Sequence, residues 1–348
     1  MGITDEKERM ERIFGMFKNK DKKERKKGPK KIPKLVKNIQ AYKPPFINFG
    51  GDEKVISHTQ LSIFNQCRFR WGLQYRDKKK IFDPSINLIF GIAMHEALQK
   101  YLEVYYNESI TAADKLDLNG MFKGKLVELY AKDLKKNKGI HYSSPDELHE
   151  FYTDGVAILD WFKKKKKKYF AKRGWFLVGC EIPVDYQVLP NVSYRGHLDV
   201  VMYHEPTNTI EIIDLKTSTK SWGKWQKSDQ TKLAQLILYK KFFSELFNFP
   251  IDNINVKFLI LKRKLYENID YVQNRVQEFT PASGKVKIKK SWEMLERFAQ
   301  AAFDEHGNFK DTKYKKEISD NNCKFCPYKD EDELCSKGNS VKNPFDIY

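Results

Sequence analysis

The stretch GHLDVVMYHEPTNTIEIIDLKTS, residues 196–218, constrains the fold more than any other part of the chain. Pro206-Thr207 reads as the centre of a two-residue turn, with Pro at the position whose φ it pre-sets. Pairing the two arms about that centre sets Asp199 directly opposite Asp214, with Cβ atoms roughly 4.5–5.5 Å apart. The flanks of both acids are apolar, Leu198, Val200, Val201 and Met202 on one arm and Ile210, Ile212, Ile213 and Leu215 on the other. That is the pattern of a central strand buried on both faces. Two opposed carboxylates in such a sheet are costly unless they share a proton or hold a cation between them. Mg²⁺ and Mn²⁺ favour one or two carboxylates together with water and phosphate oxygens. Lys216 lies two residues beyond Asp214, so alternation puts its ammonium on the same face. An isolated Asp-x-Lys matches by chance and reads as a surface salt bridge. The opposed acid and the apolar setting turn this one into an expected metal site.

The rest of the chain arranges itself around that hairpin. Residues 1–45 are dominated by Lys and punctuated by Pro29, Pro33, Pro44 and Pro45, which predicts a basic arm. A single domain is expected over residues 55–348. Its helical part spans about 59–172, with one helix over Thr59–Tyr75 capped by Thr59 or Ser62, and a second over Leu88–Tyr106. The run Lys163–Lys168 ends that part and reads as a solvated helix face. Strands follow over 174–188, 195–203, 209–216 and 255–264, with a helix over 229–247 between the last two. A further helix over 290–303 precedes a polar, cysteine-bearing tail. The order predicts an α/β fold, a mixed central sheet flanked by helices with a helical insertion.

Charge and composition narrow the function. The chain of 348 residues carries 64 Lys+Arg against 46 Asp+Glu, a formal charge of +18, which points to a polyanion, nucleic acid first and an acidic membrane surface second. Hydrophobic residues at 41% exclude a disordered chain, and no apolar run reaches the roughly 18 residues of a membrane span. The opening MGITDEKERMERIF has no secretory apolar core, and five cysteines make no disulfide framework, so a reducing cytoplasm is the expected compartment.

Asp199 followed by Asp214-Leu215-Lys216 resembles the core of the PD-(D/E)XK nucleases, whose sheet is of the restriction-endonuclease-like kind. The detail is similar to the RecB-like branch, which includes the CRISPR-adaptation exonucleases and the helicase-coupled recombination nucleases. That branch places a Gly-x-x-x-His pattern on an upstream helix, matched by Gly91 and His95, and a Gln-x-x-x-Tyr helix after the Asp-x-Lys strand, matched by Gln235 and Tyr239. The resemblance runs from about Thr59 to Cys335. It implies a metal site of Asp199, Asp214 and His95 with the backbone carbonyl of Leu215. The residues carry sense of their own as well. A lone helical His is more often a core residue, yet neutral imidazole completes a carboxylate metal site. Gln235 and Tyr239, four apart, project from one side of a helix and suit a phosphate oxygen or a stacked nucleotide. Glu181, on the preceding strand, is a weaker candidate whose register depends on a loop of unknown size.

Cys323-Lys-Phe-Cys326-Pro has the gap that lets two thiolates share one metal centre, Cys335 follows, and Cys67 offers a fourth thiolate. Four cysteines suit either a [4Fe–4S] cluster or structural Zn²⁺. The iron–sulfur members of the RecB-like branch join one early cysteine to a late trio, which resembles this layout. The gap from Cys326 to Cys335 is longer than usual there, so zinc stays open, and Cys67 has a packing role as its alternative. Cys180, in an apolar strand, reads as a buried thiol.

The expected function is a Mg²⁺- or Mn²⁺-dependent deoxyribonuclease, an exonuclease on single-stranded DNA or DNA ends in recombination, repair or replication. The alternatives are a structure-specific endonuclease and a non-catalytic single-strand DNA-binding or scaffold protein. A pure binder, however, has no need of buried acids that repel DNA. No Gly-x-x-x-x-Gly-Lys-Ser/Thr motif is present, so unwinding is expected from a separate helicase or recombination partner.

Overall fold

The computed structural model describes residues 31–44, 54–268 and 270–335. In chain order the elements are α1 (Lys34–Gln40), β1 (Val55–Ile56), α2 (His58–Gln66) and α3 (Arg68–Trp71). The insertion is α4 (Ile86–Asn107), α5 (Ile110–Asp114), α6 (Leu118–Lys136) and α7 (Pro145–Tyr169). Then come β2 (Trp175–Leu189), β3 (Val192–His204), β4 (Thr209–Ser218), α8 (Lys224–Ser228), α9 (Gln230–Leu246) and β5 (Ile254–Lys262). The chain closes with β6 (Val276–Phe279), α10 (Lys285–Ala302), α11 (Asp320–Cys323), β7 (Asp330–Glu331) and α12 (Asp332–Cys335). No helix among the described residues is long and apolar enough to cross a membrane.

Six strands form one mixed sheet. β2–β3, β3–β4 and β5–β6 are antiparallel, and β1–β3 and β4–β5 are parallel. The α/β class with flanking helices is therefore as expected. One face is covered by α1, α2, α9 and α10, whose Leu61, Phe64, Phe242 and Phe298 join Tyr194, Val201 and Phe258 of the sheet in one core. The insertion covers the other face, packing Phe90, Leu98, Phe122 and Phe162 on Val200, Ile213, Leu215 and Leu259.

Two expectations are corrected. The basic arm over residues 1–45 does not extend that far: Lys34–Gln40 is a helix whose Val36 and Ile39 are buried, while Lys34 and Lys37 stay in solvent. Residues 1–30 of that arm lie outside the described ones. The helix expected over Thr59–Tyr75 begins earlier, with Ser57 capping Gln60, and it breaks at Cys67, whose φ of −157° and ψ of 108° are extended. A new cap at Cys67 then starts α3, its Sγ accepting from the Arg70 N–H. Trp71, at the end of α3, is fully buried against Phe64, Phe298 and Tyr314.

The hairpin register is as read, although the turn is longer. Val200 pairs with Ile213 and His204 with Thr209. A 3-10 turn over Glu205–Thr207 and a left-handed Asn208 with φ of 48° connect them, symmetric about Pro206-Thr207. Beyond Val200 the two strands part. β2 occupies one edge of β3 throughout, while β4 holds the other edge only from Val200 onward and β1 holds it at Ser193 and Tyr194. The edge between Tyr194 and Val200 is a fork, and Asp199 stands at its apex.

Candidate metal and phosphodiester site

At the fork the Asp199 side chain does what a ladder carbonyl does elsewhere: its Oδ2 accepts from the Leu215 N–H at 2.7 Å. Across from it Asp214 is 2% exposed, with its Oδ2 in ion-pair contact with Lys216 Nζ at 2.7 Å. Beyond that ion pair, Asp214 Oδ1 has no hydrogen-bond partner among the described residues. A buried carboxylate oxygen without a donor keeps its lone pairs for something else. Burial, reinforced by the charge of Asp214, pushes the Asp199 carboxyl well above the usual carboxylate range. Burial acts against the Lys216 ammonium, yet the charges of Asp214 and Asp199 outweigh it and raise its pKa.

His95 comes in from α4, with Nδ1 at 3.7 Å from Asp199 Oδ2. Gly91, one turn earlier, lets that helix close on the sheet: a Cβ there would stand 3.2 Å from Thr217 Oγ1. Burial lowers the His95 pKa, Asp214 opposes it, Lys216 adds to it, and the Leu215 carbonyl faces the ring as an acceptor. A neutral imidazole is a competent ligand. On the opposite side α9 supplies Gln235, whose Oε1 accepts from Lys216 Nζ at 3.1 Å. Its Nε2 reaches Tyr239 OH at 3.4 Å. Tyr239 is 3% exposed, and a Cβ at Gly196 would fall 2.5 Å from its hydroxyl, so the missing side chain makes the phenol's room. Its buried ring offers no stacking surface, contrary to one of the two roles expected of it; it braces Gln235 instead.

Glu181 turns out to belong here. One donor atom each from His95, Glu181 and Asp199 lie within 4.8 Å of one another. Donors sharing one six-coordinate Mg²⁺ at 2.0–2.1 Å sit about 3–4 Å apart, so the group needs only a small contraction to fit. Asp214, drawn to Lys216, stands beside this group and acts on it through its charge. Gln99 was not foreseen: one turn past His95 and buried, it donates to Glu181 Oε1 at 2.5 Å and to the Asp199 carbonyl at 3.0 Å. The i, i+4 spacing from His95 is the signal that would have found it.

The cysteines meet elsewhere. Cys67, Cys323, Cys326 and Cys335 line one small cavity together with Arg70 and Tyr328. Burial raises the thiol pKa of Cys326 and Cys335, and neighbouring sulfurs add to it. Cys180 stays apart, its thiol pushed up by burial. Of the lysine run, Lys163 donates to the Leu116 carbonyl and Lys166 pairs with Asp114, while Lys164, Lys165, Lys167 and Lys168 are exposed.

Comparisons with known proteins bear on the fork. The sequence model of the PD-(D/E)XK nuclease superfamily matches residues 55–331. No curated protein matches the chain. Among solved structures, the crystal structure of SSO0001 aligns at 12% identity and a TM-score of 0.30, over 90% of this chain and 96% of that one. The family match runs from the first strand of the sheet into the cysteine-bearing tail, and the chain belongs to the PD-(D/E)XK nuclease superfamily.

Proposed function

We propose that the chain is a metal-dependent deoxyribonuclease of the RecB-like kind, acting as an exonuclease on single-stranded DNA or DNA ends. The observation that carries this is Asp214: a buried carboxylate 2.7 Å from the Lys216 ammonium and flanked by a second acid and by a histidine whose pKa burial lowers. Asp199, Asp214 and His95, with the Leu215 carbonyl, would hold Mg²⁺ or Mn²⁺, and Glu181 adds a carboxylate. A bound ion of this kind supplies Lewis acidity to the phosphate and lowers the pKa of water. The protein's own part is positional. Lys216, kept charged by two acids and tethered by Gln235, orients the attacking water and offsets charge at phosphorus in the transition state. Tyr239 fixes Gln235, and Gln99 fixes the Glu181–Asp199 side of the site.

The four cysteines that line one cavity suit a [4Fe–4S] cluster, with structural Zn²⁺ as the alternative. Tetrahedral Zn²⁺ at 2.3 Å draws sulfurs to about 3.8 Å from each other, whereas a cluster spreads its ligands over four irons.

End-labelled single-stranded and duplex DNA, incubated with Mg²⁺, Mn²⁺ or EDTA, tests the proposal. Mononucleotides or short fragments are expected with either metal and none in EDTA. Asp214→Ala is expected to abolish them while DNA binding persists. Metal-dependent products undiminished in that variant would refute the assignment.

A further inference from the structure

Beyond the carboxyl ends of β4 and β5 the surface opens into a groove unconnected with the acids. Ser221, Lys262, Tyr266 and Tyr271 line it, with Lys168 from the end of α7. Lys262 is the informative residue. The residue is 8% exposed, its ammonium reaches the groove surface, and no acceptor for it stands among the described residues. Its charged neighbour is another cation, Arg275, whose guanidinium is spent on the backbone carbonyls of Arg263 and Lys262. Two cations side by side at the groove, with no counter-charge among the described residues, make a local positive potential that suits an anion. Glu278, the one carboxylate on the lining, is turned to Lys257 at 3.5 Å.

The aromatics of the groove have the opposite character. Tyr271 is 68% exposed and Tyr266 is 44% exposed, with Lys220 Nζ 4.9 Å from the Tyr266 ring centroid. Exposed rings interleaved with unpaired cations serve a chain that alternates flat apolar groups with phosphates. Position also matters. Lys262 pairs in register with Ser218, two residues past Lys216. At about 3.3 Å per residue and about 4.8 Å between strands, its backbone stands roughly 8 Å from that of Lys216.

We infer that this groove is a binding track for single-stranded nucleic acid, in which Lys262 takes a backbone phosphate and Tyr266 and Tyr271 stack unpaired bases. The inference rests on the nuclease reading and gives its substrate a form: a strand whose bases are free. A duplex buries its base faces and has nothing to offer the two rings.

The full-length protein in EDTA, titrated with a fluorescent 15-nucleotide oligothymidylate and with a blunt 15-base-pair duplex over a range of salt, tests it. Lys262→Gln is expected to weaken the oligothymidylate several-fold and to lower the slope of log affinity against log salt by about 0.7, the share of one phosphate contact. Tyr266→Ala with Tyr271→Ala is expected to weaken it about tenfold or more at unchanged slope, since stacking releases no counterions. Tyr271→Phe is expected to bind like the wild type, and duplex affinity to move less than twofold in the tyrosine variants. An unchanged salt slope in Lys262→Gln, or equal losses on both probes in the tyrosine pair, would overturn the track. Cleavage with Mg²⁺ and Mn²⁺ separates the two readings. A wild type that never cleaves while the groove variants lose single strands overturns the nuclease and leaves the track. A wild type that cleaves while those variants bind normally overturns the track alone.

Discussion

His58 opens α2 with its imidazole shut away and its Nδ1 unpartnered. Burial, and then the nearby charge of Lys216, hold its pKa down to about 3. The consequence for stability has a definite sign. Above about pH 6.5 the ring is neutral in both folded and unfolded chains. Below that the unfolded chain takes up a proton that the folded one refuses, so stability falls with pH by up to about 1.4 kcal/mol per unit, down to about pH 3. Between pH 7 and pH 5 this amounts to about 2 kcal/mol. Urea denaturation at those two pH values, on the wild type and on His58→Gln, is expected to show that much less loss in the variant; equal losses would contradict it. Nothing in the sequence marked His58, because its burial depends on how α2 lies over the sheet. Asp199, Asp214 and Lys216 were legible because a hairpin's partners follow from its own centre. Glu181 was not. Centring the preceding turn on Pro190-Asn191 puts it opposite Val200, whereas an irregularity between Gln187 and Leu189 shifts the register and brings it across from Asp199.

At the scale of elements, local pattern failed where charge masked it. In KLVKNIQ the lysines suggested an arm, yet Val36 and Ile39, three apart, are enough to seat one helical face in the core. Tyr42 continues the contact edge-on to Phe247, with ring centroids 5.0 Å apart. Deleting residues 1–33 is therefore expected to leave the denaturation midpoint unchanged while flattening the salt dependence of DNA binding. Ile39→Ala is expected to cost about 2–4 kcal/mol in a urea titration. A midpoint unmoved by Ile39→Ala would return this segment to the arm. The strand pair β2–β3 shows a second limit of pattern reading. Its residues reverse faces near Glu181 and Asp199: Cys180 and Val200 lie against the insertion, whereas Ile182 and Leu198 lie in the opposite core. Glu181 takes the left-handed backbone, φ 52°, at that point. Strict alternation carries no sign of such a reversal, and it is there that the acids gather.

For the molecule as a whole, the cysteine cavity joins distant parts of the chain. Glu317 accepts from the Arg68 N–H and Tyr328 donates to the Lys79 carbonyl, each bond bridging 249 residues. The spacing Cys-x-x-Cys was readable, but only the fold brings Cys67 to it. Anaerobically purified protein is expected to be brown with about four irons per chain. Cys323→Ser, Cys326→Ser and Cys335→Ser are each expected to lose the metal, and Cys180→Ser to keep it. Cys67→Ser is expected to behave like the trio, since its sulfur faces the same cavity. Elemental analysis decides: one zinc and no iron would replace the cluster, and no metal would remove the site. The clasp also sets an order in time. At about 5–20 residues per second, a ribosome needs on the order of 10–50 s to pass from one wall of the cavity to the other. Through that interval Cys67 has been made and its partners have not, and the acids and the lysine of the fork are made before those partners. A nascent chain stalled just before Cys323 holds the acids and the lysine of the fork without the thiols that line the cavity beside Cys67.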